Sequence, residues 1–173
     1  MKPRVIWLYG LSGAGKTTLA TALAAELDRR GIARLLLDGD TLRSGLSSDL
    51  DFSPAGRLEN IRRTAALARL ACSQGITVIA ALITPTQALR SLARDIIQPL
   101  PFAEVYLDCD YETAARRDVK GLYAKAAAGR LSHFTGQDAP FEPPTQPDLR
   151  LATASQSSAA CLQQLIDFVD RPL

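Results

Sequence analysis

Few residues of this sequence can bind a transition metal or form disulfides. The 173 residues include three cysteines and one histidine, and the cysteines Cys72, Cys109 and Cys161 lie far apart with no C-x-x-C pair. A structural zinc site is therefore not expected, and the cysteines are interpreted as reduced thiols of a cytoplasmic protein. No apolar run approaches the roughly 20 residues that span a bilayer, so we expect no membrane partner.

An excess of one charge is also lacking. The 20 Lys and Arg residues nearly balance the 18 Asp and Glu residues, so the sequence predicts no broad basic surface and no nucleic-acid partner. A strand pattern begins almost at once, and we expect no signal or transit peptide. With 47% hydrophobic residues, a chain of this length predicts one domain over residues 1–173.

Short apolar runs alternate with amphipathic segments along the chain. Predicted strands cover 5–9, 33–37, 76–83, 103–107 and 149–152, and predicted helices cover 16–30, 57–73, 87–97, 111–117 and 157–169. Strands that are apolar on both faces and alternate with helices indicate a parallel sheet covered on both sides. We predict an α/β fold with about five parallel strands, a loop over 41–56 and a mobile lid over about 118–148.

The segment Gly10–Thr17, G-L-S-G-A-G-K-T, matches the phosphate-binding pattern G-x-x-x-x-G-K-[ST] in full. It lies between a predicted strand and a predicted helix, where backbone N–H groups and the helix dipole bind phosphate. Lys16 is expected to reach the β- and γ-phosphates, and Thr17 to offer its hydroxyl to Mg²⁺. The sequence therefore predicts a nucleoside triphosphate kinase that binds its donor through Gly10, Leu11, Ser12, Gly13, Ala14, Gly15, Lys16, Thr17 and Thr18.

The carboxylate on the magnesium side is not at its most common position. The third predicted strand, I-T-V-I-A-A-L-I, has no terminal aspartate, and no guanine-reading N-K-x-D motif occurs. Asp38 and Asp40 instead follow the second predicted strand, at the sheet edge where ligands bind. Either can face the metal or accept a proton from an attacking hydroxyl. The alternative is that one of them caps the following turn.

Longer strings after the second and fourth predicted strands identify a family. The first are D-G-D-T-L-R-S-G-L and D-F-S-P-A-G-R-L-E-N, and the second are R-D-V-K-G-L-Y and F-T-G-Q-D-A-P-F-E. Together they resemble the adenylylsulfate kinase (APS kinase) family from residue 5 to about 148. The resemblance implies a P-loop kinase fold with a lid, usually a homodimer, that phosphorylates the 3′-hydroxyl of adenosine 5′-phosphosulfate with MgATP.

The resemblance also implies how the acceptor is held. Phe52 and Phe134 match the aromatic rings that sandwich the acceptor adenine, and stacking of this kind accepts any base. Arg43, Arg57 and Asn60 match residues that hold the phosphosulfate group and nearby polar atoms, and arginine suits such oxyanions because its planar fork binds two oxygens.

Further residues match the reacting centre of the family. Asp40 would orient or deprotonate the 3′-hydroxyl, and Lys120 would join the acceptor to the transferring phosphate. Ile83 and Thr84 would line the acceptor, and Arg117 would contribute to ATP binding near residues 151–153. The predicted catalytic residues are thus Lys16, Asp40 and Lys120, and the predicted metal ligands are Thr17, Asp38 and Asp40.

Three positions depart from the family pattern. Thr84 replaces the serine of I-S-P, Thr41 replaces the asparagine of D-G-D-N, and Asp51 replaces a glycine before F-S. The serine at this position is sometimes described in the family as a phosphoserine intermediate. Because direct transfer needs no such intermediate, Thr84 is interpreted as a residue of the pocket wall. The departures leave open a kinase of a related anion, such as a nucleoside diphosphoramidate.

Two further expectations concern chemistry and partners. A non-catalytic ATP-binding regulator is disfavoured by the intact Lys16 and Asp40, and the single histidine, His133, is interpreted as non-catalytic because positioned charge already serves the transfer. A separate ATP sulfurylase is expected to supply the acceptor.

Overall fold

The first strand of the chain lies at the centre of a parallel sheet. The computed structural model describes residues 2–130 and 134–171, and its five strands follow the order β2-β3-β1-β4-β5 with every pair parallel. The strands are β1 (Val5–Tyr9), β2 (Arg34–Asp38), β3 (Thr77–Ala81), β4 (Phe102–Leu107) and β5 (Leu149–Leu151). The predicted α/β fold with about five parallel strands is confirmed.

Helices cover both faces of this sheet. Those in the described part of the chain are α1 (Lys16–Arg29), α2 (Gly39–Arg43), α3 (Pro54–Ser73), α4 (Gln87–Ile97), α5 (Tyr111–Arg117), α6 (Leu122–Ala127) and α7 (Ser158–Val169). Alternate residues of a strand face opposite sides: Ile6 and Leu8 pack in the cluster that contains α1 and α7, while Val5, Trp7 and Tyr9 pack in the cluster with α3 and α4.

The prediction of a loop over 41–56 is wrong at both ends of that segment. Helix α2 continues to Arg43, since the Asp38 side chain caps it by accepting the Asp40 N–H at 3.0 Å. Helix α3 begins at Pro54 rather than at 57, because Ser53 is its N-cap and proline is well tolerated in the first turn. The predicted lid segment contains α6, and its mobility stays a prediction.

The parallel arrangement places the loops that carry chemistry at one edge. The segments after β1, β2, β3 and β4 all leave the carboxyl ends of their strands, where open α/β sheets bind ligands. All three cysteines are buried and free. Within residues 2–130 and 134–171, no helix has both the length and the apolar character needed to cross a bilayer.

Candidate active site

The phosphate-binding loop turns tightly between β1 and α1. Gly13 has φ 78°, in the left-handed region that favours glycine. A Cβ atom there would lie 2.9 Å from the carbonyl oxygen of Ala114, so neither the backbone conformation nor the space suits a side chain. The loop is therefore held close to α5 as well as to its own helix.

Lys16 folds back onto the loop. Its Nζ donates to the carbonyl oxygens of Gly10 at 3.0 Å and Leu11 at 2.7 Å. Burial, followed by the positive charge of Lys120, lowers the pKa of Lys16 to about 8. A triphosphate would add the negative charge that favours the protonated lysine, so the electrostatics of the loop suit an anionic ligand.

The two aspartates after β2 have different partners. Thr17 Oγ1 donates to Asp38 Oδ2 at 2.7 Å, while the carboxylate of Asp40 pairs with Lys120. Asp38 therefore both caps α2 and reaches the phosphate loop. Among the described residues no cluster of three or more His, Cys, Asp or Glu side chains could enclose a metal. A hydroxyl beside one carboxylate fits Mg²⁺, which takes most of its oxygen ligands from phosphates and water.

Two arginines surround Phe52 on the other side of the site. The Arg43 guanidinium carbon lies 4.2 Å from the centre of the half-exposed Phe52 ring, and that of Arg57 lies at 6.0 Å. Arg43 donates to the carbonyl oxygen of Asp51 at 2.9 Å, and Arg57 to that of Phe52 at 2.9 Å. Burial lowers the pKa of both guanidiniums, and the charge of Arg43 lowers that of Arg57 further. Arg43, Phe52 and Arg57 thus form one wall of the site, and an oxyanion bound there would offset the positive charge of the two arginines.

Asp51 does not present a bare carboxylate to this wall. Its Oδ1 accepts hydrogen bonds from the backbone N–H of Ser53 at 3.1 Å and from the Ser53 hydroxyl at 2.5 Å. The negative charge that departs from the family pattern is thus used in the turn that precedes α3.

Asn60 presents an unsatisfied acceptor. Its side chain is 5% exposed, and Oδ1 has no hydrogen-bond partner among the described residues. Buried polar atoms are nearly always hydrogen-bonded in folded proteins, and Asn60 lines the same cavity as Arg57. This atom is therefore placed to accept a hydrogen bond from a ligand.

Phe134 stands on an aromatic support that the sequence did not predict. Its buried ring meets Tyr123 edge-on at 4.8 Å, and Tyr123 meets Tyr111 edge-on at 5.2 Å. The Tyr123 hydroxyl donates to the carbonyl oxygen of Ser12 at 2.8 Å. The K-G-L-Y string contains Tyr123, but the partner of its hydroxyl, Ser12, lies 111 positions away in the sequence.

The backbone at Thr84 is strained, and both its hydroxyl oxygen and its carbonyl oxygen accept hydrogen bonds. Thr84 is 2% exposed with φ 40°, which is unfavourable for a β-branched residue. Its Oγ1 accepts a hydrogen bond from Trp7 Nε1 at 2.9 Å, and Arg90, which is 1% exposed, donates to its carbonyl oxygen at 3.3 Å. Sequence reasoning missed Trp7 and Arg90, because Trp7 lies in an apolar strand and Arg90 in an amphipathic helix, and neither pattern indicates a contact with Thr84.

Arg117 bridges the phosphate loop and the segment after β5. It donates to the carbonyl oxygen of Gly13 at 3.4 Å and to that of Thr153 at 2.6 Å. Arg117 thus lies beside the segment near which the sequence placed the ATP adenine, and its contribution to ATP binding stays a prediction.

One cavity of about 790 Å³ brings these groups together. The predicted residues that line it are Ser12, Gly13, Ala14, Gly15, Lys16, Thr17, Thr18, Asp38, Asp40, Arg43, Phe52, Arg57, Asn60, Ile83, Thr84, Arg117, Lys120 and Phe134. Gly10 and Leu11 are not part of its lining and contact Lys16 instead. His133 lies outside the described residues.

A phosphate loop that shares its cavity with a second wall of aromatic and cationic side chains, on a parallel α/β sheet, defines the class: this is a P-loop kinase. The family described as Adenylylsulphate kinase matches residues 2–152. The chain belongs to that family.

Individual relatives extend this comparison. An adenylyl-sulfate kinase of Burkholderia ambifaria is 49% identical over 162 residues, which cover 94% of this chain and 90% of the relative. The APS kinase CysC of Mycobacterium tuberculosis, solved in complex with AMPPNP and APS, has a TM-score of 0.94 and 41% identity and covers 98% of this chain and 99% of its own. A hexameric APS kinase from Thiobacillus denitrificans has a TM-score of 0.74 and 30% identity, over 98% of this chain and 29% of its own.

The hydrogen bond between Trp7 and Thr84 gives a first prediction. Trp7→Phe removes the donor and Thr84→Val removes the acceptor, so each should lower the free energy of unfolding by about 1–3 kcal/mol. The double variant should lose less than the sum of the two, because the second change finds the bond already broken. Urea denaturation of all four proteins measures the difference, and strictly additive losses would contradict the bond.

Proposed function

We propose that this protein phosphorylates the 3′-hydroxyl of adenosine 5′-phosphosulfate with ATP, giving 3′-phosphoadenosine 5′-phosphosulfate. The observation that carries the proposal is the shared cavity, which offers a phosphate loop and an aromatic, cationic wall for a second nucleotide. Membership of the adenylylsulphate kinase family, and a solved relative that holds both AMPPNP and APS, support this pair of substrates.

The acceptor wall matches the chemistry of adenylylsulfate. Phe52 and Phe134 offer ring faces for the adenine, and Arg43, Arg57 and Asn60 offer donors and one acceptor for the phosphosulfate group and its neighbours. The arginines also hold the turn around Phe52 through its backbone carbonyls. Charge binding and base stacking therefore belong to one local structure.

The donor side matches ATP with its metal. The loop Gly10–Thr17 with Thr18 would bind the phosphates, and Arg117 would approach the rest of the nucleotide. Thr17 and Asp38 would hold Mg²⁺, with Asp40 beside them; when bound, the ion neutralises charge on the phosphates. Lys16, whose ammonium group lies against the same loop, would place its charge on the phosphate oxygens.

The reacting centre lies around the pair formed by Asp40 and Lys120. Asp40 orients the 3′-hydroxyl and accepts its proton, while Lys16 and Lys120 stabilise the negative charge of the transferring group. Transfer is direct, and Thr84 has a structural role in the wall. Closure of the lid over about 118–148 excludes water during the step.

The cellular setting is a further part of the proposal. We place the protein in the cytoplasm as a homodimer that receives its acceptor from a separate ATP sulfurylase. The buried free thiols are compatible with a reducing compartment, and the homodimer rests on the family resemblance.

The direct test compares acceptors. Purified protein is incubated with MgATP and adenylylsulfate, a nucleoside diphosphoramidate, or no acceptor, and the phosphorylated product is quantified. Adenylylsulfate should be preferred at least about tenfold in kcat/KM, because the cavity offers paired arginines for its sulfated end. Preference for the diphosphoramidate, or no transfer by folded protein that binds ATP, would contradict the assignment.

Asp40→Ala separates chemistry from binding. Loss of the group that orients the hydroxyl should lower kcat by about 100-fold or more, whereas the affinity for ATP should change by no more than about threefold. Steady-state kinetics and nucleotide titration measure the two effects. An equal loss in both would contradict the role given to Asp40.

Phe52→Ala tests the stacking wall. Stacking contributes about 1–3 kcal/mol per base, so KM for adenylylsulfate should rise roughly fivefold to 150-fold with KM for ATP unchanged. Leu70→Ala is the matched control, since Leu70 lies on α3 with 61% of its side chain exposed and does not line the cavity. An unchanged acceptor KM in Phe52→Ala would exclude this ring from the site.

A further inference from the structure

We propose that Tyr123 is a positioning residue that couples the two halves of the active site, its hydroxyl orienting the phosphate loop and its ring supporting the acceptor wall. The inference rests on the proposed function, because it takes the loop as the ATP site and Phe134 as part of the acceptor site. It assigns no reacting group to Tyr123.

The hydroxyl acts on one peptide group of the loop. It donates to the carbonyl oxygen of Ser12 at 2.8 Å from a buried side chain. Since the Ser12–Gly13 peptide is planar and trans, holding that carbonyl toward α6 directs the N–H of Gly13 to the opposite side. Gly13 has no side chain to oppose rotation of this peptide, so an external hydrogen bond is what fixes the direction of the amide.

The ring acts on the acceptor wall. The Tyr123 and Phe134 rings meet edge-on, with 4.8 Å between centroids and an interplanar angle of 85°. Edge-on aromatic pairs have a preferred geometry and stabilise a structure by more than the apolar area they bury. A base stacked on Phe134 is therefore supported by the side chain whose hydroxyl holds the phosphate loop.

Asp118 fixes the position of this tyrosine. Its two carboxylate oxygens accept the backbone N–H groups of Tyr123 and Ala124, each at 3.0 Å. Lys120 lies between Asp118 and α6 and reaches Asp40. The short segment from Asp118 to Tyr123 thus carries both Lys120, which pairs with Asp40, and Tyr123, which contacts Phe134 and Ser12. A ligand that fixes one of these contacts therefore favours the others.

The hydroxyl is tested with Tyr123→Phe, which keeps the ring. The variant should bind a non-hydrolysable ATP analogue about threefold to tenfold more weakly, with adenylylsulfate affinity in the absence of nucleotide unchanged and the fold retained by circular dichroism. Tyr111→Phe is the control, because the Tyr111 hydroxyl donates to Gln137 at 3.4 Å and not to the loop. Equal nucleotide affinity in Tyr123→Phe and Tyr111→Phe would overturn the proposal.

The coupling itself is tested by titrating the ATP analogue with and without adenylylsulfate. The wild-type protein should bind each ligand more tightly in the presence of the other, by the same factor in both directions. That factor should approach one in Tyr123→Phe and in Tyr123→Leu, and only Tyr123→Leu should also lose affinity for adenylylsulfate alone. A factor of one in the wild type, or an unchanged factor in Tyr123→Phe, would overturn the coupling.

The two proposals fail in distinguishable ways. If the wild-type protein binds the ATP analogue but not adenylylsulfate, the proposed function fails and the coupling fails with it. If adenylylsulfate is turned over while Tyr123→Phe matches the wild type in nucleotide affinity and coupling, only the role of Tyr123 fails.

Discussion

The active site depends on the way four consecutive carbonyl groups of the phosphate loop are held by side chains. Lys16 donates hydrogen bonds to the carbonyl oxygens of Gly10 and Leu11. Tyr123 donates to that of Ser12, and Arg117 to that of Gly13. In a planar peptide the N–H points away from its carbonyl, so bonds that hold the carbonyls also orient the amides that bind phosphate. Because Tyr123 and Arg117 come from α6 and α5, the carbonyl groups of the loop are positioned by two helices that are distant in the sequence.

Buried positive charge in the site would be offset by anionic ligands. Lys16, Arg43 and Arg57 all have their pKa lowered chiefly by burial, and a second cation lowers the pKa of Lys16 and of Arg57 further. A triphosphate at one end and a phosphosulfate at the other would offset this cost. The carboxylates of Asp38 and Asp40 meanwhile bind Thr17 and Lys120, which line the same cavity.

Local signals made much of this architecture predictable from the sequence. Strand β1, helices α4 and α5, and the loop Gly10–Thr17 all lie where short-range patterns placed them. Helix α2 and the first turn of α3 did not, because their Gly, Ser, Asp and Pro residues resemble a loop, although Ser53 and Pro54 are a standard cap and first residue.

The hydrogen bonds that support the site could not be predicted from the sequence, because their partners are far apart in the chain. The bond between Trp7 and Thr84 spans 77 positions of the chain, and that between Tyr123 and Ser12 spans 111. No local sequence pattern around Trp7 or Tyr123 indicates which residue its side chain will contact, so these bonds become visible only in the folded structure. Most residues that the sequence strings predicted for the site line one cavity, and the structure added the side chains that support them.

In the proposed reaction, donor and acceptor share one cavity and the phosphoryl group passes directly between them. Thr84, the residue at the position that the family resemblance links to a covalent intermediate, is buried, and its hydroxyl oxygen accepts a hydrogen bond from Trp7. The stereochemistry at phosphorus tests this directly, using ATP made chiral at the γ-phosphate with oxygen isotopes. A single in-line transfer predicts inversion of configuration in the product, whereas retention would require two successive transfers through an enzyme group and would contradict the account.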